Sequence, residues 1–341
     1  MTTSGMPSRF TPAAPPPFAA LFPGQLSEKA GMGEELAGRF DFVADFFEEV
    51  AARSGVDLAA TFFGAGTASL HEDLPAQVGV FAVSLAALDV LERVHGLSPS
   101  ASAGYSLGTY ASFVAAGALE RYAALDVLLT VQRLLEEDGR ANGDRPGGMG
   151  YVIGLPESAL KALLDEVRKE EKLEADDLAI GTANAAQQFV LTGERAAVEK
   201  AIERSRPVAL KAEMLPLTRC MHSPRLGNVA RRLRILLEGK TAVGTPKCHL
   251  YAPMLGRRVS SLEEISSVLF NQVSRPSRWS GTLASIGADG FSVFAEVGPS
   301  DVLTKLLRWT LRDARGFVVD TPESAGAFAR AMMPAEVVPH G

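Results

Sequence analysis

Cysteine is nearly missing from this 341-residue chain. Only Cys220 and Cys248 occur, without CxxC spacing, so neither a disulfide framework nor a cysteine-based zinc site is supported, and a reducing compartment is expected. A dominant charge of one sign is lacking too: 34 Lys and Arg against 40 Asp and Glu leave a formal net charge of −6, which argues against nucleic acid as the main partner. The cluster Arg231, Arg232 and Arg234 could still face an acidic partner locally. No basic start followed by an unbroken apolar segment marks a secretory leader. Nor does any uncharged apolar stretch of about 18 residues mark a membrane span. A cytoplasmic protein is therefore expected, and no internal repeat is visible.

What remains is the composition of an ordinary globular enzyme, 47% hydrophobic and 22% charged, on a chain long enough for two domains or for one large domain carrying an insertion. Residues 1–17 hold five prolines among small polar residues, a composition that stays extended and mobile. Order is expected from Phe18, where the apolar run to Phe22 stops at Pro23-Gly24 like a buried strand entering a tight turn. A helical region follows over 33–54. Val78, Phe81, Leu85, Leu88 and Leu91 recur at helical spacing and predict a helix over 74–94, stopped by His95-Gly96. A strand candidate at 99–104 then leads through Tyr105-Ser106-Leu107-Gly108 into an alanine-rich helix over 109–119.

Between Gly147 and Leu217 the periodicity changes. Strands at 148–155, 178–183, 188–192 and 208–215, with helices at 157–169 and 195–203, give the order βαββαβ. That is a ferredoxin-like arrangement, and its roughly 70 residues could fold as a unit inserted in a larger domain. The expected organisation is a discontinuous large domain (18–146 and 216–330), the inserted subdomain (147–215) and a flexible tail (331–341). Further along, 223–237 and 301–313 read as helices and 291–297 as a strand.

The sharpest local signal is Gly104-Tyr105-Ser106-Leu107-Gly108, a GxSxG pentapeptide in strand–turn–helix context. Flanking glycines allow a sharp turn that presents the serine at the start of a helix, where backbone N–H groups can face a developing oxyanion. An ordinary glycine turn is the alternative. A serine hydroxyl needs a nearby base, usually histidine. Of the five histidines, His71 falls in a polar turn, His95 at a helix end, His249 in a strand and His340 in the tail. His222 lies between a strand and a helix, where it can serve as base or as a structural histidine.

Taken together, Phe22-Pro23-Gly24-Gln25, the pentapeptide at 104–108, Gly148-Met149, His222-Ser223-Pro224, Arg275-Pro276-Ser277-Arg278-Trp279 and Glu296-Val297-Gly298-Pro299 resemble, in order and spacing, the malonyl-CoA:acyl-carrier-protein transacylases and polyketide synthase acyltransferase domains. The resemblance spans residues 18–312. It implies an α/β fold: an α/β-hydrolase-like large domain with a parallel sheet, and the inserted ferredoxin-like subdomain. It also implies transfer of an acyl group between thioesters through an acyl-serine. Ser106 would be the nucleophile and His222 its base, with Gln25 and Leu107 forming the oxyanion hole and Gln77 at the site. A backbone carbonyl near residues 275–279 would orient His222 in place of an aspartate. No cofactor is implied, because acyl-CoA or acyl-phosphopantetheine enters as substrate. The implied partner is an acidic acyl-carrier protein, approached by basic residues at the mouth between the domains.

The departures bear on the acyl group. Family members that use malonyl groups hold the free carboxylate with an arginine fork on the helix after the nucleophile helix. An ungapped count places that position at Val131. Arg133 would face elsewhere on a straight helix, since two residues turn the direction by about 200°; a local bulge would restore it. Tyr105 stands where malonyl-type enzymes have histidine, and Thr109 where they have glutamate. The tetrapeptide ending at the base reads Arg219-Cys220-Met221-His222, so Met221 adjoins the site, and Arg275 replaces an asparagine. Arg219 or Arg275 could supply a cation from another direction, or both could be solvated or salt-bridged. The expectation is an acyltransferase for an uncharged or unusual acyl group in polyketide or specialised fatty-acid biosynthesis. An editing acyl-carrier-protein thioesterase with the same site is the alternative, and conventional malonyl transfer comes third. A silent docking module would not need Ser106, His222, Gln25 and Gln77 together. A plain α/β-hydrolase would leave Phe22-Pro23-Gly24-Gln25 unexplained.

Overall fold

The computed structural model describes residues 15–141, 143 and 145–333. Residues 1–14 of the proline-rich start, and 334–341 with His340, lie outside the described residues. In chain order the strands are β1 (Ala19–Phe22), β2 (Ala101–Gly104), β3 (Gly147–Ile153), β4 (Leu178–Ala185), β5 (Gln188–Glu194), β6 (Lys211–Met214), β7 (His249–Ala252), β8 (Arg257–Arg258), β9 (Val293–Val297) and β10 (Arg315–Val319). They form two sheets, ordered β10-β9-β1-β2-β7-β8 and β4-β5-β3-β6.

In the large sheet β10, β9, β1, β2 and β7 run parallel, and short β8 turns back antiparallel on β7. Every residue of β1, β2 and β9 is buried, as expected of parallel strands covered on both faces. The Gly108–Ala115 and Asp73–His95 helices pack against the sheet on one side, the second buried without a break from Ala76 to Leu91. By length and composition alone it could cross a membrane, but 89% of its most apolar window is buried inside the protein. Trp279, Leu283, Leu303 and Leu307 pack on the other side.

The small sheet is antiparallel throughout, and the helices Glu157–Glu171 and Arg195–Ser205 cover it. Leu160, Leu164, Phe189, Leu191, Val198 and Ile202 make a separate core there. The fold is thus an α/β-hydrolase-like large domain with a parallel sheet and an inserted ferredoxin-like subdomain.

Local departures from the sequence reading have local causes. The helical region over 33–54 is two helices, Glu34–Arg39 and Asp41–Ser54, because Phe40 is extended (φ −130°, ψ 110°) and stacks on Phe42 at 5.5 Å. The helix after Ser106 ends at Ala115, where Gly117 at φ 68° brings the Ala118 N–H back to Phe113 O at 2.9 Å. The last helix, Pro322–Met332, extends into the stretch read as tail.

Candidate active site

Parallel pairing sets the site. β1 and β2 are in register to their last residues, Phe22 opposite Gly104, so the loops that follow them emerge side by side at the carboxyl ends of the strands, the usual place for ligands in such sheets. Gly104 and Gly108 permit the close approach. A Cβ on Gly104 would lie 2.0 Å from Gly108 O, and one on Gly108 would lie 2.1 Å from Phe22 O. Ser106 between them has φ 52°, a left-handed conformation that a non-glycine residue holds only under constraint from its surroundings.

Ser106 Oγ lies 2.8 Å from His222 Nε2. His222, 5% exposed and itself at φ 58°, points Nδ1 at two backbone carbonyls, Gln272 O at 2.9 Å and Arg275 O at 3.3 Å. Carbonyl oxygens only accept, so Nδ1 carries a proton and the neutral ring offers Nε2 as acceptor to the serine hydroxyl. Burial pushes the His222 pKa below its ordinary value, opposed by those two carbonyls. The ring is therefore neutral at physiological pH, oriented by backbone carbonyls and with Nε2 free to accept from the serine hydroxyl.

A cavity of about 230 Å³ opens over Ser106, with the Pro23–Ser27 loop and Val302, Leu303 and Leu306 on one side and Met149, Thr182, Asn184 and Val190 of the small subdomain on the other. Tyr105 reaches across this boundary. Its hydroxyl pKa is raised by burial, against hydrogen bonds with Asn184 and Thr182, and its ring meets Trp279 edge-on at 5.4 Å. Beyond the serine lies a smaller cavity of about 40 Å³, lined by Gln25, Gln77, Leu107, Tyr110, Val131, Met221, Gln272 and Val273 together with Ser106 and His222. No Arg or Lys is among its lining residues.

The structure thus brings together Ser106, His222, Gln25, Leu107, Gln77, Val131 and Met221 in one cavity, with Tyr105 in the adjoining cleft. Leu107 is the N-cap of the Gly108–Ala115 helix. The Gln77 amide donates to Gln132 Oε1 at 3.2 Å. The two arginines singled out in the sequence do not line this cavity. Arg219 pairs through Nε with Asp73 at 2.9 Å, and Arg275 contributes its carbonyl while its side chain is exposed. Arg133 is exposed and bonded to Glu137 at 2.8 Å. Of the other histidines, His71 faces Glu28 at 3.4 Å and His249 meets Phe291 edge-on. In the basic cluster Arg232 is paired with Glu137 and Arg234 with Glu238.

Sequence reasoning missed Gln272, whose main-chain oxygen accepts from the His222 ring, and Asp73, which accepts from Gln25 Nε2 at 2.9 Å. Gln272 lies only three residues before Arg275, so the segment next to the expected 275–279 region was the available signal. Asp73 has none beyond lying four residues before Gln77.

The sequence matches the acyl transferase domain family over residues 20–340. It is 28% identical over 313 residues to the malonyl CoA-acyl carrier protein transacylase of Haemophilus influenzae, covering 91% of this chain and 97% of that one. It is 30% identical over 321 residues to the polyketide biosynthesis protein ThaF of Burkholderia thailandensis, covering 93% of this chain and 25% of that longer protein. Among solved structures it is similar to a type II polyketide synthase acyl-carrier protein in complex with its malonyl-transacylase, with TM-score 0.84, 28% identity, and coverage of 93% of this chain and 100% of that one.

Proposed function

The chain belongs to the acyl transferase family, and on that premise we propose that it transfers a short, uncharged acyl group to an acyl-carrier protein through an ester on Ser106. The observation that carries the acyl-transfer chemistry is the 2.8 Å contact between Ser106 Oγ and a His222 ring whose other nitrogen is bound to main-chain carbonyls. As Oγ attacks the carbonyl of an acyl-CoA or acyl-carrier thioester, its proton passes to His222 Nε2. The oxyanion is received by the main-chain N–H groups of Gln25 and Leu107 at the start of the helix. Collapse expels the thiolate, which takes the proton back from His222. The phosphopantetheine thiol of the carrier then enters, gives its proton to Nε2, attacks the ester carbonyl and leaves as the new thioester while Ser106 regains its hydroxyl. The two thiols and the protein's own groups suffice for this cycle.

The choice of acyl group rests on Val131. An unpaired carboxylate against that side chain would cost several kcal/mol, enough to reverse a preference for dicarboxylic groups. Size bears on the length of the group. Since a water occupies about 10–15 Å³ of such space, the 40 Å³ cavity holds only a few heavy atoms. The relatives' names support a carrier protein as acceptor and a place in polyketide or fatty-acid chain building. They also name malonyl groups, so the departure at Val131 is what the reading turns on.

The test is to incubate the protein with acetyl, propionyl, butyryl and malonyl thioesters and to weigh the intact protein. Neutral adducts on Ser106 that chase onto holo carrier protein are expected. A malonyl adduct without neutral ones overturns the choice of acyl group. Release to water faster than to the carrier would make the protein a thioesterase.

A further inference from the structure

The loop that carries Gln25 has one fixed wall and two polar tethers. The wall is at Gly24, where a Cβ would lie 2.8 Å from Tyr105 O and 3.0 Å from its ring, so the loop cannot slide toward the nucleophile. One tether is internal: the main-chain N–H of Leu26, a residue at φ 72°, donates to Glu28 Oε2 at 2.8 Å. The other crosses from a distant segment. Gln25 Nε2 donates to Asp73 Oδ1 at 2.9 Å, and Asp73 Oδ2 pairs with Arg219 Nε at 2.9 Å. Each carboxylate oxygen is matched to one donor. Arg219 meanwhile keeps Nη1 buried without a hydrogen-bond partner among the described residues.

We propose that Asp73 is a positioning residue for acyl transfer: it fixes the Gln25 side chain, and with it the main-chain N–H that would receive the oxyanion, while Arg219 serves as counter-charge to Asp73 and not as a cation for the substrate. This rests on the acyl-serine reading above. A glycine before Gln25 and a left-handed residue after it leave the segment other conformations, and a side-chain tether removes them without touching the substrate. Oxyanion stabilisation depends steeply on donor placement, so loosening the tether should show in the tetrahedral state more than in the bound thioester.

The experiment compares Asp73→Ala, Asp73→Asn and Asp73→Asn/Arg219→Leu in the full chain. Three quantities are read: the rate of acyl-Ser106 formation, the affinity for a trifluoromethyl ketone that forms a tetrahedral anion on the serine, and the affinity for an unreactive amide analogue of the thioester. In Asp73→Ala we expect acylation and ketone affinity to fall together by about tenfold to a hundredfold, with amide affinity within about twofold of the parent, which also reports an intact site. In Asp73→Asn a single oxygen faces two donors. Removing Arg219 leaves it to Gln25, so the double variant should recover most of the loss. Parental acylation in Asp73→Ala, equal loss of both affinities, or a double variant no better than Asp73→Asn overturns the proposal. A parent that acylates with no thioester at all fails the functional reading instead, before any variant is compared.

Discussion

Thr192, in the middle of the inserted sheet, donates its hydroxyl to the main-chain oxygen of Met221 at 2.7 Å. The bond ties the small subdomain to the residue before His222, whose φ of 58° is a conformation that needs support. Thr192→Val keeps the shape and removes the donor from a part-buried acceptor. A loss of about 1 kcal/mol is expected, read as a lower melting temperature, together with acyl-Ser106 formation slowed several-fold. An unchanged acylation rate would mean that His222 is held without this tie.

Val131 sits in the wall of the small cavity, whereas Arg133 is on the solvent side of the same helix. Val131→Arg should place a guanidinium where a malonyl carboxylate would lie. Malonyl labelling of Ser106 is expected to rise by about tenfold or more, as a charge-assisted pair in a dry site implies, and neutral acyl labelling to fall. A folded variant with no malonyl adduct would show that position 131 does not govern the choice.

The pH response follows from His222. Its pKa is lowered in the folded state, first by burial, so the neutral base persists below the ordinary histidine range near 6.5. The acylation rate should stay level from pH 8 to about 6.5 and fall only as pH drops through the lowered value. Stability has the same sign. Below the unfolded pKa the unfolded chain takes a proton that the folded ring refuses, so this histidine's contribution is present above that value and is lost as pH falls through the folded one. A rate that halves already above pH 7 would contradict the buried neutral base.

Neither cysteine should compete with the serine. Burial, aided by the charge of Glu92, pushes the Cys248 thiol up to about 11, and burial likewise raises Cys220. At pH 8 both are protonated, and iodoacetamide should modify the native protein about tenfold or more slower than the unfolded chain, because the thiolate is the reactive form. Acyl adducts mapped to a cysteine in place of Ser106 would defeat the assignment.

How far the sequence discloses this site depends on what kind of atom acts. Ser106 announces itself through two glycines, because the turn it needs admits no side chain at either place. His222 is found by its position between elements, and the small sheet by alternating apolar residues. Gln272 is signalled only by lying next to the 275–279 region, because the atom it presents is a carbonyl that every residue possesses. Asp73 was invisible because its partners, Gln25 and Arg219, are distant in the chain. The break at Phe40 has no periodic signal for a related reason: apolar spacing continues across it, and the turn lies in the extended backbone of Phe40, whose ring stacks on Phe42. Strands β7, β8 and β10 are short and gain their identity from neighbours, not from period.

β1 lies in the interior of its sheet, with β2 on one side and β9 on the other. A ribosome delivers β1 long before β9, so during synthesis one hydrogen-bonding edge of an all-apolar strand waits unpaired until Val293–Val297 has emerged. Nascent strands in that state attract other chains. The loop bearing Gln25 hangs from that strand, so its place beside Ser106 cannot settle before the strand does. A message cut before Val293 would therefore yield an adhesive polypeptide in place of a weakened enzyme.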